Sequence, residues 1–259
     1  MEVSACVPQF LKIYGDIDIF AGQNFVTKKH SHHALEIIIS FDSLISLKVD
    51  NEEVEAKGFI IKPDHMHQTS VEGFAVFLYL NPEAPLSKKL NYLFKAKSVF
   101  CLDDDRVAKI KSYLRALIRC DYSQEDIKDF FTEALLEDIT QIEFNFKIDE
   151  RILNVITYIK FSLNAPHNFK QLIDIACLSE SRLTHLFKKE VGIPIRKFIL
   201  WCRIQKAIKL VLRGYSLTQA ASLSGFSDVA HLTRTFVSMF GVTPSQMLKN
   251  TNQGYFLAY

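Results

Sequence analysis

The 259-residue sequence lacks any apolar run of membrane length. Its longest, such as FAVFLYL from Phe74 to Leu80, fall far short of the roughly 20 residues that span a bilayer. The amino terminus, MEVSACVPQF, lacks the basic region and apolar core of a leader, which predicts a chain that is neither exported nor inserted. Closely paired cysteines are also missing. The five thiols, Cys6, Cys101, Cys120, Cys177 and Cys202, are odd in number and widely scattered. That pattern argues against a disulfide frame or a thiolate zinc site and fits reduced thiols in a cytoplasmic protein.

With 48% hydrophobic and 23% charged residues, the composition is that of an ordinary globular protein, long enough for two modest domains. The net charge of +2 conceals a split. From Asp149 onward there are 14 Lys or Arg against 6 Asp or Glu, net +8, whereas residues 1–148 carry 17 against 23, net −6. The carboxy-terminal part is therefore the one suited to an anionic partner.

Residues 1 to about 100 read as β-rich. The segments ALEIIIS, SLISLKVD, EEVEAKGFIIKP and GFAVFLYLN alternate and are separated by turn-forming pairs such as Asp-Asn, Lys-Gly and Asn-Pro, which predicts a small barrel or jelly roll. Five of the eight histidines, His30, His32, His33, His65 and His67, fall in this part. If HSHHALEIII is one strand, its two-residue period sends His30, His32, Ala34 and Glu36 to one face. Imidazole and carboxylate suit zinc, iron, nickel or manganese where three or four converge. The alternatives are histidines that are solvated or hydrogen-bonded at a barrel mouth, or that contact an organic ligand. The reading adopted is a small-molecule site at His30, His32, Glu36 and His67, with no metal and no cofactor required.

Two amphipathic helices are expected next. Val107, Ile110, Leu114, Leu117 and Ile118 recur at three- and four-residue spacing, and so do Ile127, Phe130, Phe131, Ala134, Leu135, Ile139 and Ile142. Ser123 with Asp126 three residues on is a capping signature. A helical hairpin at about 103–146 would either cover the barrel or pair with a second chain.

The carboxy-terminal part repeats itself. Leu183, Phe187 and Gly192 match Leu232, Phe236 and Gly241, each 49 residues apart, as two copies of one supersecondary unit would. Each copy reads as helix, turn, helix, with Ser179 and Ser227 as expected N-caps. Burying Leu183, Leu186 and Phe187 leaves Ser181, Arg182, Thr184, His185, Lys188 and Lys189 outward. Burying Leu232, Phe236 and Phe240 does the same for His231, Thr233 and Arg234. These donors can reach base edges and phosphates from a helix in a major groove. Between the copies, Pro194–Leu212 reads as one helix with Phe198, Trp201, Ile204, Ile208 and Val211 on its core face. Arg196, Lys197, Arg203, Lys206, Lys209 and Arg213 supply positive charge without one acid.

On these motifs residues from about 149 to 250 resemble the DNA-binding domain of the AraC/XylS family of transcription regulators. The second copy, Ala221-x3-Gly225-Phe226-Ser227 through Phe236 and then Gly241-x2-Pro244-Ser245, is close to the family signature. The first departs at Ile173, where a small alanine is usual, and at Cys177, where glycine or another turn former is common. His30-x-His32-x3-Glu36 and Gly58-x4-Pro63-x3-His67 are similar to the two cupin motifs.

The resemblance implies a two-domain α+β protein: a cupin-like sensing and dimerising barrel with its helical hairpin (1–148), then an all-α double helix-turn-helix domain (149–259). It implies that the DNA-facing residues are those named above on the two recognition helices. It further implies double-stranded DNA as partner, a small-molecule effector, homodimerisation through the amino-terminal part, no membrane role, and room for a contact with RNA polymerase. It makes the protein a regulator and not an enzyme. The rivals are a cupin-type metalloenzyme with an accessory helical domain, and a DNA-binding protein that never responds to a ligand.

Overall fold

The computed structural model describes residues 10–94, 97–119, 123–136, 147–163 and 169–248. It forms two compact units, residues 1–144 together with 240–259, and residues 145–239.

The first unit is built on an eight-stranded antiparallel sheet shaped as a nearly closed barrel. Its strands are β1 (Phe10–Tyr14), β2 (Ile17–Val26), β3 (Leu35–Ser40), β4 (Ile45–Val49), β5 (Glu52–Ala56), β6 (Gly58–Ile61), β7 (His67–Leu80) and β8 (Val99–Cys101). β7 runs for 14 residues and is the common seam. It pairs with β2 along most of its length, with β4 through His67–Val71, and with β3 through Ala75–Leu80. The ladder to β2 shifts register between Gln23 and Phe25, where Asn24 takes a positive φ of 55°.

All six residues of β3 are buried, on both faces of the strand. The reason is cover on both sides: β3 lies between β6 and β7 in the sheet, and α2 (Asp104–Arg119) packs on it. The hairpin partner is α3 (Gln124–Leu136), opened by Ser123, whose Oγ accepts from the Asp126 N–H while its own N–H donates to the Asp126 carboxylate. Val107, Ile110, Leu114 and Leu117 of α2, with Ile127, Phe131, Ala134 and Leu135 of α3, share one core with Ile37, Ile39, Val76 and Leu78 of the barrel. The apolar stripes therefore face their own sheet. The side chain of Ile118, the residues Ile139 and Ile142 with the rest of 137–146, and Cys6 and Cys120 lie outside the described residues. The sequence reading did not foresee the short helix α1 (Pro85–Leu93), which starts on a proline and buries Leu86 and Leu90.

The second unit is helical: α4 (Glu150–Phe161), α5 (Phe169–Ala176), α6 (Glu180–Val191), α7 (Ile195–Leu212), α8 (Leu217–Leu223) and most of α9 (Val229–Phe240); α10 (Pro244–Leu248) follows in the chain. Ile152, Val155, Ile159, Leu172, Leu183, Phe187 and Phe198 form its first core. In α7, Phe198, Trp201, Ile204 and Ile208 are buried as expected, joined by Cys202 and Ala207, while Val211 is only half-buried. No helix among the described residues is long and apolar enough to cross a membrane.

Candidate DNA interface and a buried histidine cluster

Both helices expected to face DNA, α6 and α9, owe their starts to side-chain caps. Ser179 accepts from the backbone N–H of Arg182 and opens α6. At α9 the cap is Asp228 and not the expected Ser227: the Asp228 carboxylate accepts from the His231 backbone N–H at 2.6 Å, and the Ser227 hydroxyl donates to Asp228 instead. Preceding α9, the Ser216 cap of α8 forms a full capping box with Gln219. An anionic cap at a helix start is held by the helix dipole, and the backbone N–H of His231, with the Ser227 hydroxyl after it, keeps the Asp228 carboxyl below its usual range.

On α6, Ser181, Arg182, Thr184, His185, Lys188 and Lys189 are all exposed. A groove of about 500 Å³ runs between Ser181, Thr184, His185 and Lys188 on α6 and Arg196 at the start of α7, with the acid Glu180 also on its wall. Arg196 entered the sequence reading only as part of a charged face; its place beside α6 follows from the turn at Gly192, which is left-handed with φ 93°. On α9, Arg234 is exposed, whereas His231 and Thr233 are half-buried. The His231 ring is engaged locally: its Nδ1 lies 3.2 Å from the Ser227 hydroxyl and the ring meets Phe226 edge-on. α7, with 18 residues, is about 27 Å long at roughly 1.5 Å per residue, against about 34 Å between successive major-groove faces. Of its cations, Arg203 and Lys206 are held below their usual ranges by burial.

In the barrel, His30, His32, Glu36 and His67 do come together, but not through a shared strand face. β3 begins only at Leu35; His30 is held by an isolated bridge to His67, the first residue of β7. All four side chains are buried. His32 Nε2 lies 2.9 Å from Glu36 Oε2, and His67 Nε2 lies 3.1 Å from the same oxygen without the direction of a good hydrogen bond. Tyr79, missed by the sequence reading because an aromatic in an apolar strand reads as plain core, meets His32 edge-on and hydrogen-bonds Glu36. His33 and His65 turn away to Asp64 and Asp50.

Charge is confined tightly in this cluster. Burial, reinforced by His67 and His32, pushes His30 down to about 3. Burial also opposes ionisation of Glu36, but the His32 and His67 imidazoles overcome it and hold the carboxyl well below the usual range. Burial opposes the charge on His67 as well, and Glu36 outweighs it and raises the imidazole. Tyr79 is pushed well above the ordinary phenol range, first by burial and then by Glu36.

One unit holds capped helix pairs that repeat a helix-turn-helix pattern, and the other holds a nearly closed antiparallel barrel. Residues 172–250 match the family described as Helix-turn-helix domain. The chain is 30% identical over 106 residues to the probable transcriptional regulator LumQ of Photobacterium leiognathi, covering 40% of this chain and 43% of that one. It is 24% identical over 192 residues to the arabinose operon regulatory protein of Salmonella typhimurium, covering 70% and 68%. It thus spans less than half the length of the first relative and about two thirds of the second. Among solved structures, ToxT from Vibrio cholerae O395 shares the fold with a TM-score of 0.62 at 15% identity, over 92% of this chain and 98% of that chain. The fold is likewise that of ToxT from strain SCE256 solved with an unsaturated fatty acid bound, with a TM-score of 0.59 at 16% identity over 93% and 97%. The carboxy-terminal part thus carries a helix-turn-helix domain, and the fold as a whole is shared with the ToxT structures.

Proposed function

We propose that the protein is a sequence-specific transcription regulator that acts on double-stranded DNA in the cytoplasm, and that it is not an enzyme. The observation that carries this reading is the pair of capped helices, α6 and α9, that share a repeated apolar pattern and turn donor-bearing side chains to solvent. Ser181, Arg182, Thr184, His185, Lys188 and Lys189 would meet DNA from α6, and His231, Thr233 and Arg234 from α9. The half-buried state of His231 and Thr233 makes Arg234 the principal base reader of the second helix.

Residues 149–259 form the DNA-binding domain in this reading. Residues 1–148 form a sensing and dimerising domain in which His30, His32, Glu36 and His67 hold the effector. The ToxT relative solved with a fatty acid bound supports a sensing role for such a barrel. A homodimer would present paired recognition helices to paired half-sites, and the regulator would act on transcription through RNA polymerase.

Selection of genomic fragments by the full chain supplies the cognate site. Arg234→Ala should then weaken binding to that site by about 10- to 100-fold while leaving random DNA little affected, as loss of a base contact worth about 1–3 kcal/mol requires. A uniform loss with a shallower salt dependence would make Arg234 a phosphate contact. Failure of the folded wild-type chain to enrich any fragment would overturn the DNA reading.

A further inference from the structure

On the outside of the barrel, between the β4–β5 hairpin and β7, lies a cavity of about 410 Å³. Small-molecule sites occupy about 300–1,000 Å³. Alternation along the strands puts this cavity on the far side of the wall from the histidine cluster. His67 is buried and faces Glu36, so Gln68, the next residue of β7, points outward. The ladders then set Gln68 opposite Lys48, and Lys48 opposite Glu53, as one row across three strands. Asp50 and Asn51 close the hairpin with φ values of 48° and 68°, the backbone of a tight two-residue turn. Lys29, beside His30 in the chain, completes the lining.

Charge is divided between the walls of this cavity. One wall carries the Lys29 ammonium and the Gln68 carboxamide, and the hairpin opposite carries the carboxylates of Asp50, Glu52 and Glu53. Some of these groups are answered locally: Lys48 Nζ lies 3.5 Å from Glu53 Oε2, and Asp50 Oδ2 lies 3.2 Å from His65 Nε2. The side chains of Lys29, Gln68, Asn51 and Glu52 make no hydrogen bond or ion pair with any described residue. An ammonium and a carboxylate thus share one cavity without pairing, which leaves each free for a ligand group of opposite charge.

We infer that this outer cavity binds a free α-amino acid, its carboxylate on Lys29 and Gln68 and its ammonium on Glu52 and Asp50. Val49 is the lone apolar residue of the lining, so the ligand's own side chain is small or polar rather than bulky and apolar. The charged groups are exposed, and water and salt weaken each contact. A Kd on the order of 1 mM follows for a ligand held in this way. Lys29 and Gln68 each stand one residue from a member of the histidine cluster, His30 and His67. A ligand held on them therefore acts next to the bridge that joins those two residues. The inference rests neither on the DNA reading nor on what the histidine cluster holds.

The test is an NMR titration of the ¹⁵N-labelled full chain with glycine, serine, asparagine, glutamine, glutamate, arginine and leucine. At least one of the small or polar amino acids should saturate with a Kd of about 1 mM or tighter, moving the amide signals of Lys29, Gln68 and the hairpin, while leucine binds more weakly. Acetate and ethylamine carry one charged group each and should bind about tenfold more weakly than the best amino acid. Raising the salt from about 0.05 to 0.5 M should weaken binding severalfold. Lys29→Met and Glu52→Gln should each lose about three- to tenfold in affinity. Glu55→Gln, which removes the same charge from β5 outside the cavity, should bind as wild type. All three positions are exposed, and an unchanged unfolding temperature establishes that the variants fold. The wild-type chain decides even without them: saturation by no amino acid at about 20 mM, signals that move only elsewhere, or acetate binding as well as the best amino acid would each overturn the site. Full affinity in both folded variants would do the same.

Discussion

In the first helix-turn-helix copy the chain leaves α5 through Cys177, at φ 50°; in the second it leaves α8 through Gly225, at φ 84°. Both turns demand the left-handed region, which costs an ordinary residue about 1–2 kcal/mol. The surroundings differ. Cys177 is exposed, with its Sγ 3.4 Å from the Asp174 carbonyl. A Cβ on Gly225 would stand 2.1 Å from the carbonyl oxygen of Leu163 and 2.9 Å from Arg203 Nε. In the second copy glycine is therefore enforced by packing as well as by the turn, whereas in the first only the turn asks for it and a cysteine takes the place. The family pattern is held more closely in the copy that has less space.

Gly225→Ala is the sharpest way to break this contrast. It should destabilise the helical unit by about 3 kcal/mol or more, because strain and a backbone clash add. Cys177→Ala, a change between two residues with a Cβ, should stay within about 0.5 kcal/mol. Urea unfolding of the full chain followed by helical circular dichroism measures both, and equal losses would show that the crowding at Gly225 has no energetic weight.

The caps come next in size. Ser179→Ala and Asp228→Ala should each cost about 1 kcal/mol, while Ser227→Ala should cost far less. The reverse order for Asp228 and Ser227 would move the cap back to the residue that the sequence suggested. The smallest effect expected is a gain. Cys177→Gly relieves the left-handed cost but adds freedom to the unfolded chain, leaving a net stabilisation of about 0.5 kcal/mol by the same urea measurement.

The helical unit was legible in the sequence because its signals are local. Leu183, Phe187 and Gly192 recur at the spacing of Leu232, Phe236 and Gly241, and helix periodicity, caps and turn residues act within a few positions of one another. The choice between Ser227 and Asp228 lay beyond this reach, since two competent caps stand side by side and only backbone direction selects one. The barrel was legible as β-rich, but its details depend on pairing between distant residues. The convergence of His30, His32, Glu36 and His67 was anticipated for a reason the structure does not support: parity along a strand. The rings are set instead by hydrogen bonds to carbonyls two residues away and by the bridge from His30 to His67. The ladder of β1 and β2, and α1 after Pro85, left no periodic mark strong enough to be singled out.

The long strand β7 gives the cluster an unequal mechanical footing. Because β2, β3 and β4 all index their ladders against it, sliding β7 by one residue would break three sets of pairings at once and turn every side chain to the opposite face. His67, at its first position, is thus anchored to a fixed rail. The segment from His30 to Ala34 lies outside the ladders, held by one isolated bridge and single hydrogen bonds such as that from the Asp64 N–H to the His32 carbonyl. Any tightening or loosening of the four-group cluster is therefore accommodated on this side, which makes HSHHA the compliant arm of the barrel and β7 its frame.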